Sequence, residues 1–252
     1  MDLRLNGTRV LVTGGTRGIG RAVVEAFLDE GAVVGFCARD SSEVTATSDH
    51  LRSRGEVTGS VVDVGDGDAL AAWVDRSAEA FGGIDAVVAN VSALAIPDTE
   101  ANWQLSLNVD LMHTVRLVRA AMPHLERSEA PSIIAISSVS GRESDFASGP
   151  YGTAKTAIVG YIHGLAMQLA EKGIRANTVS PGNTYFEGGV WANIETGDPG
   201  LFETAMSLNP TGRMGAPEEV AAPVVFLASP VASRISGTNL VVDGALTRGI
   251  QL

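Results

Sequence analysis

The residues in this chain best suited to moving a proton on and off oxygen are Tyr151 and Lys155, four apart, with Ser138 thirteen residues before the tyrosine. If that stretch is helical, positions four apart share a face and present a phenol and an ammonium to one pocket. A free phenol titrates near pH ~10 and is a slow proton shuttle at neutral pH, whereas a neighbouring cation favours the phenolate. Moving such an equilibrium by about 3 pH units takes roughly 4 kcal/mol, much of which one close ammonium in a partly buried site can supply. A serine hydroxyl beside the pair can hydrogen-bond a carbonyl or alcohol oxygen. Such a site handles the proton and leaves the hydride to another group. A lone Tyr-x-x-x-Lys pattern is common on helices, so its weight depends on the chain around it.

The opposite end of the chain supplies a candidate hydride source. Residues 8–13 form a short apolar run, followed by Gly14-Gly15-Thr16-Arg17-Gly18-Ile19-Gly20 and an amphipathic run that closes at Gly31. Strand, glycine-rich turn and helix in that order place free N–H groups at a helix N-terminus with no Cβ between them and an anion. Gly14, Thr16, Arg17, Gly18, Ile19 and Gly20 are therefore the candidate dinucleotide-phosphate residues. A second strand over 32–38 ends at Ala38, and Arg39 and Asp40 follow. An acidic residue at this strand end favours NAD, and a nearby arginine accommodates the 2′-phosphate of NADP. Arg39 with Arg17 predicts NADP(H). Asp40 is the competing group, one position further on and able to reach the ribose instead.

The remaining elements place the other candidates. A third strand over 57–62 ends in Asp63-Val64, where Asp63 either meets the adenine amino group or caps the turn into a helix predicted over 67–81. A fourth strand over 84–89 runs into Asn90, outside the carboxyl end of a central strand, where ligands sit in open α/β sheets. Helical periodicity then extends over about 100–126 and carries Asn108, a residue somewhat unfavourable inside a helix and so a functional candidate. A fifth strand over 132–137 places Ser138 just beyond its end, and the helix of Tyr151 closes near Gly173. A sixth strand over 174–180 is followed by Pro181, Gly182 and Thr184. Residues 185–214 are the least regular part of the chain and contain Tyr185, Phe186, Trp191 and Phe202, which predicts a mobile lid over a partly apolar substrate. A helix over 217–228 and a seventh strand over 239–243 complete one domain, residues 1–252, of the doubly wound α/β class.

Composition bounds the partners. Eighteen Lys and Arg against 29 Asp and Glu give a formal charge of −11, which argues against a nucleic-acid surface. Cys37 is the single cysteine and falls in a predicted buried strand, so it reads as a small core hydrophobe. The four histidines, His50, His113, His124 and His163, show no metal-ligand spacing, and no metal is expected. No basic-then-apolar leader opens the chain and no apolar run reaches membrane-spanning length, so a cytoplasmic protein without membrane contact is expected.

Together these pieces resemble the short-chain dehydrogenase/reductase family in its common form of about this length, from end to end. The matching segments are TGGTRGIG at 13–20, Asp63, Asn90, Asn108, Ser138, Tyr151-x-x-x-Lys155 and Pro181-Gly182. The resemblance implies a single Rossmann-type domain with a seven-stranded parallel sheet flanked by helices on both faces. It commonly implies a homotetramer, with a homodimer as the alternative. It makes Tyr151 the general acid/base, Ser138 the partner of the substrate oxygen, and Lys155 the holder of the nicotinamide ribose hydroxyls. Asn108 would hold a water that links Lys155 to solvent. Two departures stand out. Ala89-Asn90-Val91-Ser92 replaces the usual Asn-Asn-Ala-Gly, and Phe186 stands where a threonine often follows Pro-Gly, leaving Thr184 as the candidate for the carboxamide. The expected activity is an NADP-dependent ketone reductase or alcohol dehydrogenase acting on a small carbonyl or secondary alcohol. An NAD-dependent oxidising dehydrogenase, a 3-oxoacyl thioester reductase, and a non-catalytic cofactor-binding scaffold are the alternatives.

Overall fold

The structure, a computed structural model, describes residues 1–249. Short apolar runs become strands, those inside the sheet largely buried on both faces and the edge strands over Val57–Val61 and Asn239–Val242 only partly so, as expected for a parallel sheet covered by helices. They are β1 (Arg9–Thr13), β2 (Val33–Ala38), β3 (Val57–Val61), β4 (Ala86–Ala89), β5 (Ser132–Ile136), β6 (Arg175–Pro181) and β7 (Asn239–Val242). The seven form one sheet in the order β3-β2-β1-β4-β5-β6-β7. Every pairing is parallel, and β1 sits between β2 and β4 with Val10 opposite Val34 on one side and Ala86 on the other. The strand order reverses at β1/β4, which opens a crevice at the carboxyl ends of those strands.

The helices divide between the two faces. On one, α1 (Gly18–Asp29) and α9 (Pro217–Ala228) pack over a core containing Val23, Val24, Phe27, Val220 and Val224. On the other, α3 (Gly67–Phe81), the helical segment through 100–125 and α6 (Pro150–Leu169) cover a core containing Leu70, Trp73, Leu117, Ile133 and Ile158. Burying each large aliphatic or aromatic side chain contributes about 1.5–3 kcal/mol relative to leaving it in water. α2 (Ser41–Leu51) packs near β2 and β3. Cys37 is fully buried, and burial pushes its thiol up to about 12, consistent with an inert core residue. No helix among the described residues is long and apolar enough to cross a membrane.

Two expectations change. The helix expected over about 100–126 is α4 (Glu100–Ser106), a π-helical segment (Leu107–Met112) and α5 (His113–Leu125). The His113 N–H reaches back five residues to the Asn108 carbonyl, so one extra residue is accommodated there. Residues 185–214 are not irregular throughout: they fold α7 (Val190–Gly197) and α8 (Pro199–Leu208), each opened without need of a long apolar pattern. Pro199 at the first turn and the Asp198 carboxylate, which accepts from the Leu201 N–H at 3.1 Å, start α8.

Candidate active site

A cleft of about 730 Å³ lies at the carboxyl end of the sheet and is lined from β1, β2, β3, β4, β5, β6 and the segment after β6. Of the residues singled out above, Gly14, Thr16, Arg17, Ile19, Gly20, Arg39, Asp63, Val64, Asn90, Ser138, Tyr151, Lys155, Pro181, Gly182 and Thr184 line it.

At its β1 end the chain turns on Gly14 (φ 71) and Gly18 (φ 53), both in the left-handed region that favours glycine. A Cβ on Gly20 would run into the Gly14 carbonyl oxygen and the Asn90 amide, so the turn can be this tight only with glycine there. Helix α1 begins at Gly18 with no side-chain cap and no acidic residue in its first turn. Its leading N–H groups therefore keep their capacity to bind an anion, as a dinucleotide phosphate requires. Asn90 staples the turn to β4: its amide donates to the Thr13 carbonyl at 3.0 Å and the Gly14 carbonyl at 3.3 Å. Gly18 itself is covered by the Phe186 ring, the nearest atom lying 2.5 Å from where a Cβ would stand.

Beside it, Arg17 and Arg39 are exposed and make no ion pair among the described residues. Asp40 is engaged otherwise. Its carboxylate caps α2, accepting from Ser42 Oγ at 2.5 Å and from the Glu43 N–H at 2.9 Å. Those two hydrogen bonds hold its carboxyl below its usual range. Asp63 Oδ1 accepts from the Gly65 N–H at 2.9 Å. Arg17 and Arg39 both line the cleft.

At the β5 end, Ser138 follows the strand and Tyr151 and Lys155 rise from the first turns of α6, where Pro150 opens the helix. Close packing brings the loop and helix together: a Cβ on Gly141 would lie 2.8 Å from the Lys155 carbonyl carbon, and one on Gly152 2.8 Å from the Ser140 oxygen. Ser137 Oγ donates to the Lys155 carbonyl at 2.9 Å and Thr156 Oγ1 to the Gly141 carbonyl at 2.8 Å. Lys155 is 2% exposed, and its Nζ stands 5.6 Å from the centroid of the Tyr151 ring. The ammonium donates to the Ile136 carbonyl at 3.2 Å.

The structure does not bring Asn108 to this group. Its Oδ1 accepts from Arg116 at 2.7 Å and its amide donates to the Gly65 carbonyl at 3.4 Å. The side chain that faces Lys155 is Asp110, fully buried, with Oδ1 3.3 Å from Nζ. The π-helical turn carries Asp110 inward and leaves Asn108 pointing toward the β3–α3 turn. His113, one turn on, is also buried: its Nδ1 meets the Val109 carbonyl at 3.1 Å and its Nε2 meets Thr13 Oγ1 at 3.0 Å. Thr13 Oγ1 in turn accepts from the Asn90 N–H at 3.0 Å. Asp110, His113 and Thr13 thus stand beside the candidate group with no expectation in the sequence to mark them.

The segment after β6 closes on itself at its base. Tyr185 N–H donates to the Gly215 carbonyl at 2.9 Å and Gly215 N–H to the Asn183 carbonyl at 2.8 Å. Inside it Trp191, Ala205 and Met214 bury a small separate core. Trp191 meets Phe146, from the β5–α6 loop, edge-on at 5.7 Å across the cleft. Leu94 and Ile96 add to that apolar wall.

A sequence profile for the family described as enoyl-(acyl carrier protein) reductase matches residues 14–247. The chain is 42% identical to an isoepoxydon dehydrogenase of Penicillium expansum, over 98% of this chain and 97% of that protein. Among solved structures it resembles a short-chain dehydrogenase of Burkholderia cenocepacia in complex with NADP, with a TM-score of 0.88 at 30% identity, covering 96% of this chain and 99% of that one. L-sorbose reductase of Gluconobacter frateurii, complexed with NADPH and L-sorbose, superposes with a TM-score of 0.92 at 25% identity, over 99% and 100% of the two chains.

Proposed function

The chain belongs to the short-chain dehydrogenase/reductase family of oxidoreductases, and from that premise we propose that it interconverts a small ketone and its secondary alcohol with NADP(H). The observation that carries this reading is one cleft lined at one end by a helix N-terminus without a side-chain cap and by two arginines that make no ion pair among the described residues, and at the other by Ser138, Tyr151 and Lys155. NADP(H), when bound, supplies or accepts the hydride. Gly14, Thr16, Gly18, Ile19 and Gly20 would cradle its phosphates, Arg17 and Arg39 its 2′-phosphate, Asp63 and Val64 its adenine, and Asn90, Pro181, Gly182 and Thr184 its nicotinamide end. Lys155 would hold the ribose hydroxyls and favour the Tyr151 phenolate.

On the substrate side, Tyr151 gives its phenolic proton to the carbonyl oxygen during reduction and takes it back during oxidation. Ser138 Oγ hydrogen-bonds the same oxygen and fixes its direction, which matters because misplacement of reacting atoms by an ångström costs orders of magnitude in rate. Residues 185–214 act as the lid, with Trp191, Phe146, Leu94 and Ile96 offering the apolar wall to the substrate skeleton. A single domain spanning 1–252, assembly as a homotetramer or homodimer and a cytoplasmic location complete the proposal. They rest on the family. NADPH oxidation across a panel of cyclic and acyclic ketones and acyl thioesters tests it. Turnover that falls at least a thousandfold in Tyr151→Phe, with NADPH affinity nearly kept, supports the assignment. Retained turnover refutes Tyr151 as the acid/base, and turnover with thioesters alone moves the substrate class to acyl carriers.

A further inference from the structure

Ser92, which stands where the family usually has a glycine, touches Asp110, the carboxylate that meets Lys155. Ser92 Oγ donates to Asp110 Oδ1 at 2.5 Å, and the Ala93 N–H donates to Oδ2 at 3.1 Å. The Leu94 N–H then donates to Ser92 Oγ at 3.1 Å, with Leu94 in the left-handed region at φ 50, which a leucine rarely adopts. The carboxylate oxygen that takes the serine proton is also the one 3.3 Å from Lys155 Nζ. One buried carboxylate therefore holds both the loop that floors the substrate end of the cleft and the ammonium beside the acid/base tyrosine.

We propose that Asp110 is a positioning residue that, through Lys155, sets the pH at which the Tyr151 phenol exchanges its proton, and that Ser92 tunes it by hydrogen-bonding the same carboxylate. The proposal rests on the roles given above to Tyr151 and Lys155. Charged and polar groups stand near the pair from each surrounding element, and the β5–α6 loop adds Asp145, which lines the same cleft and accepts from Ser140 Oγ at 2.6 Å. Lys155 and Tyr151 come from α6, and the π-helical turn supplies Asp110. Helix α5 supplies His113 and Arg116, the β4 loop only the Ser92 hydroxyl and the Ala93 N–H, and β5 only the Ile136 carbonyl. His113 is held neutral by burial and by the Lys155 cation, down to about 4, so it adds no charge over the working range. Arg116 is turned to Asn108 and the Gly65 carbonyl, at 2.7 and 3.3 Å. Asp110 is then the one anionic partner of Lys155 among the described residues. Buried and only partly screened, its charge offsets part of the ammonium's pull on the phenolate. An amide at this position would leave that pull unopposed.

The test is the pH dependence of kcat/KM for alcohol oxidation in the wild type, Asp110→Asn and Ser92→Ala. It is read alongside the ultraviolet phenolate titration of each, differenced against the same protein carrying Tyr151→Phe. Removing the carboxylate charge is expected to move both midpoints to lower pH by about one unit, for a charge several ångströms away in a partly screened site. Losing the Ser92 donor concentrates charge on the carboxylate and is expected to move both midpoints to higher pH by a smaller amount. The KM for substrate rises in both variants as the Ser92–Leu94 loop loosens. A purely structural role predicts lower activity with unmoved midpoints, and that result in folded Asp110→Asn overturns the proposal. If Asp110→Asn does not fold, Ser92→Ala decides: an upward shift supports the proposal, and no shift or a downward one overturns it. Absence of wild-type turnover on every substrate overturns the functional reading above, while the phenolate titration still decides this one.

Discussion

Acid should unfold this protein partly through one histidine. His113 is fully buried between the π-helical turn and β1. Its ring takes the tautomer set by its neighbours: Nδ1–H donates to the Val109 carbonyl at 3.1 Å, so Nε2 accepts from the Thr13 hydroxyl at 3.0 Å. Burial, reinforced by the Lys155 ammonium, pushes it from 6.5 down to about 4. In the unfolded chain the ring takes a proton near pH ~6.5. Below that pH the unfolded state binds a proton that the native state does not. The stability this represents is therefore present in full above about pH 6.5 and is lost as the pH falls toward about 4. Between pH 7 and pH 5 the loss comes to about 2 kcal/mol, from roughly 1.4 kcal/mol per pH unit over the part of that interval below the unfolded midpoint. His113→Gln removes the titration and keeps a polar side chain. Urea unfolding of both proteins at pH 7 and pH 5 gives the difference directly, because losses from shared carboxylates and any constant cost of the substitution cancel. The wild type should lose about 2 kcal/mol more than the variant over this interval. Equal losses would show that His113 is solvated or charged in the native state, and the buried Thr13–His113 contact would have to be abandoned.

Cofactor choice should turn on the two unpaired arginines. Arg39→Ala or Arg17→Ala is expected to weaken NADPH about 10- to 100-fold, the worth of a charged hydrogen bond, while NADH changes little. Parallel losses for both cofactors in fluorescence titrations would place the 2′-phosphate elsewhere. Gly20→Ala puts a methyl group into the Gly14 carbonyl and the Asn90 amide, so a stability loss of about 1–3 kcal/mol with NADPH binding at least tenfold weaker is expected. Calorimetric binding at wild-type strength would mean that the turn relaxes freely. Trp191→Ala removes the core of the small cluster with Ala205 and Met214 and its edge-on contact with Phe146. The KM for bulky ketones should rise several-fold more than that for acetone, and an equal change across the panel would argue against a lid in contact with substrate.

Much of the architecture is legible in the sequence because parallel strands are buried on both faces and announce themselves as apolar runs. The order of strands across the sheet follows from right-handed crossovers and is less directly visible. The helix predicted over 67–81 is found as Gly67–Phe81, its start fixed by the Asp66 carboxylate, which accepts from the Asp68 and Ala69 N–H groups at 3.0 Å each. What escaped is the regularity of 185–214. Its helices are short, Gly189 and Asp198 precede them, and their apolar residues close on one another rather than on the sheet. A cluster of that kind leaves no long periodic signature, so composition suggests a loop where packing makes two helices.

The asparagine is more instructive, because the side chain that meets Lys155 is two positions away. Asn108 was singled out as a polar residue inside a helix, which is a statement about residue type. Facing was the missing information. Ser106, Asp110, His113, Leu117, Ala121 and Leu125 are all buried and recur at three- or four-residue steps, the spacing of one inward stripe on a helix. Asp110 lies on that stripe and Asn108 does not, so an ionisable side chain was committed to the interior within sight of Lys155. A buried carboxylate is costly unless it is paired and hydrogen-bonded. The stripe therefore demands partners for Asp110, and the chain offers a buried lysine, a serine where a glycine is usual, and a backbone N–H. Asp110 sits within the π-helical turn, and the Thr114 hydroxyl donates to its carbonyl at 2.9 Å. Ser92 and Asp110 are thus coupled: a change of either alone would leave a buried carboxylate short of a donor or a hydroxyl short of its acceptor.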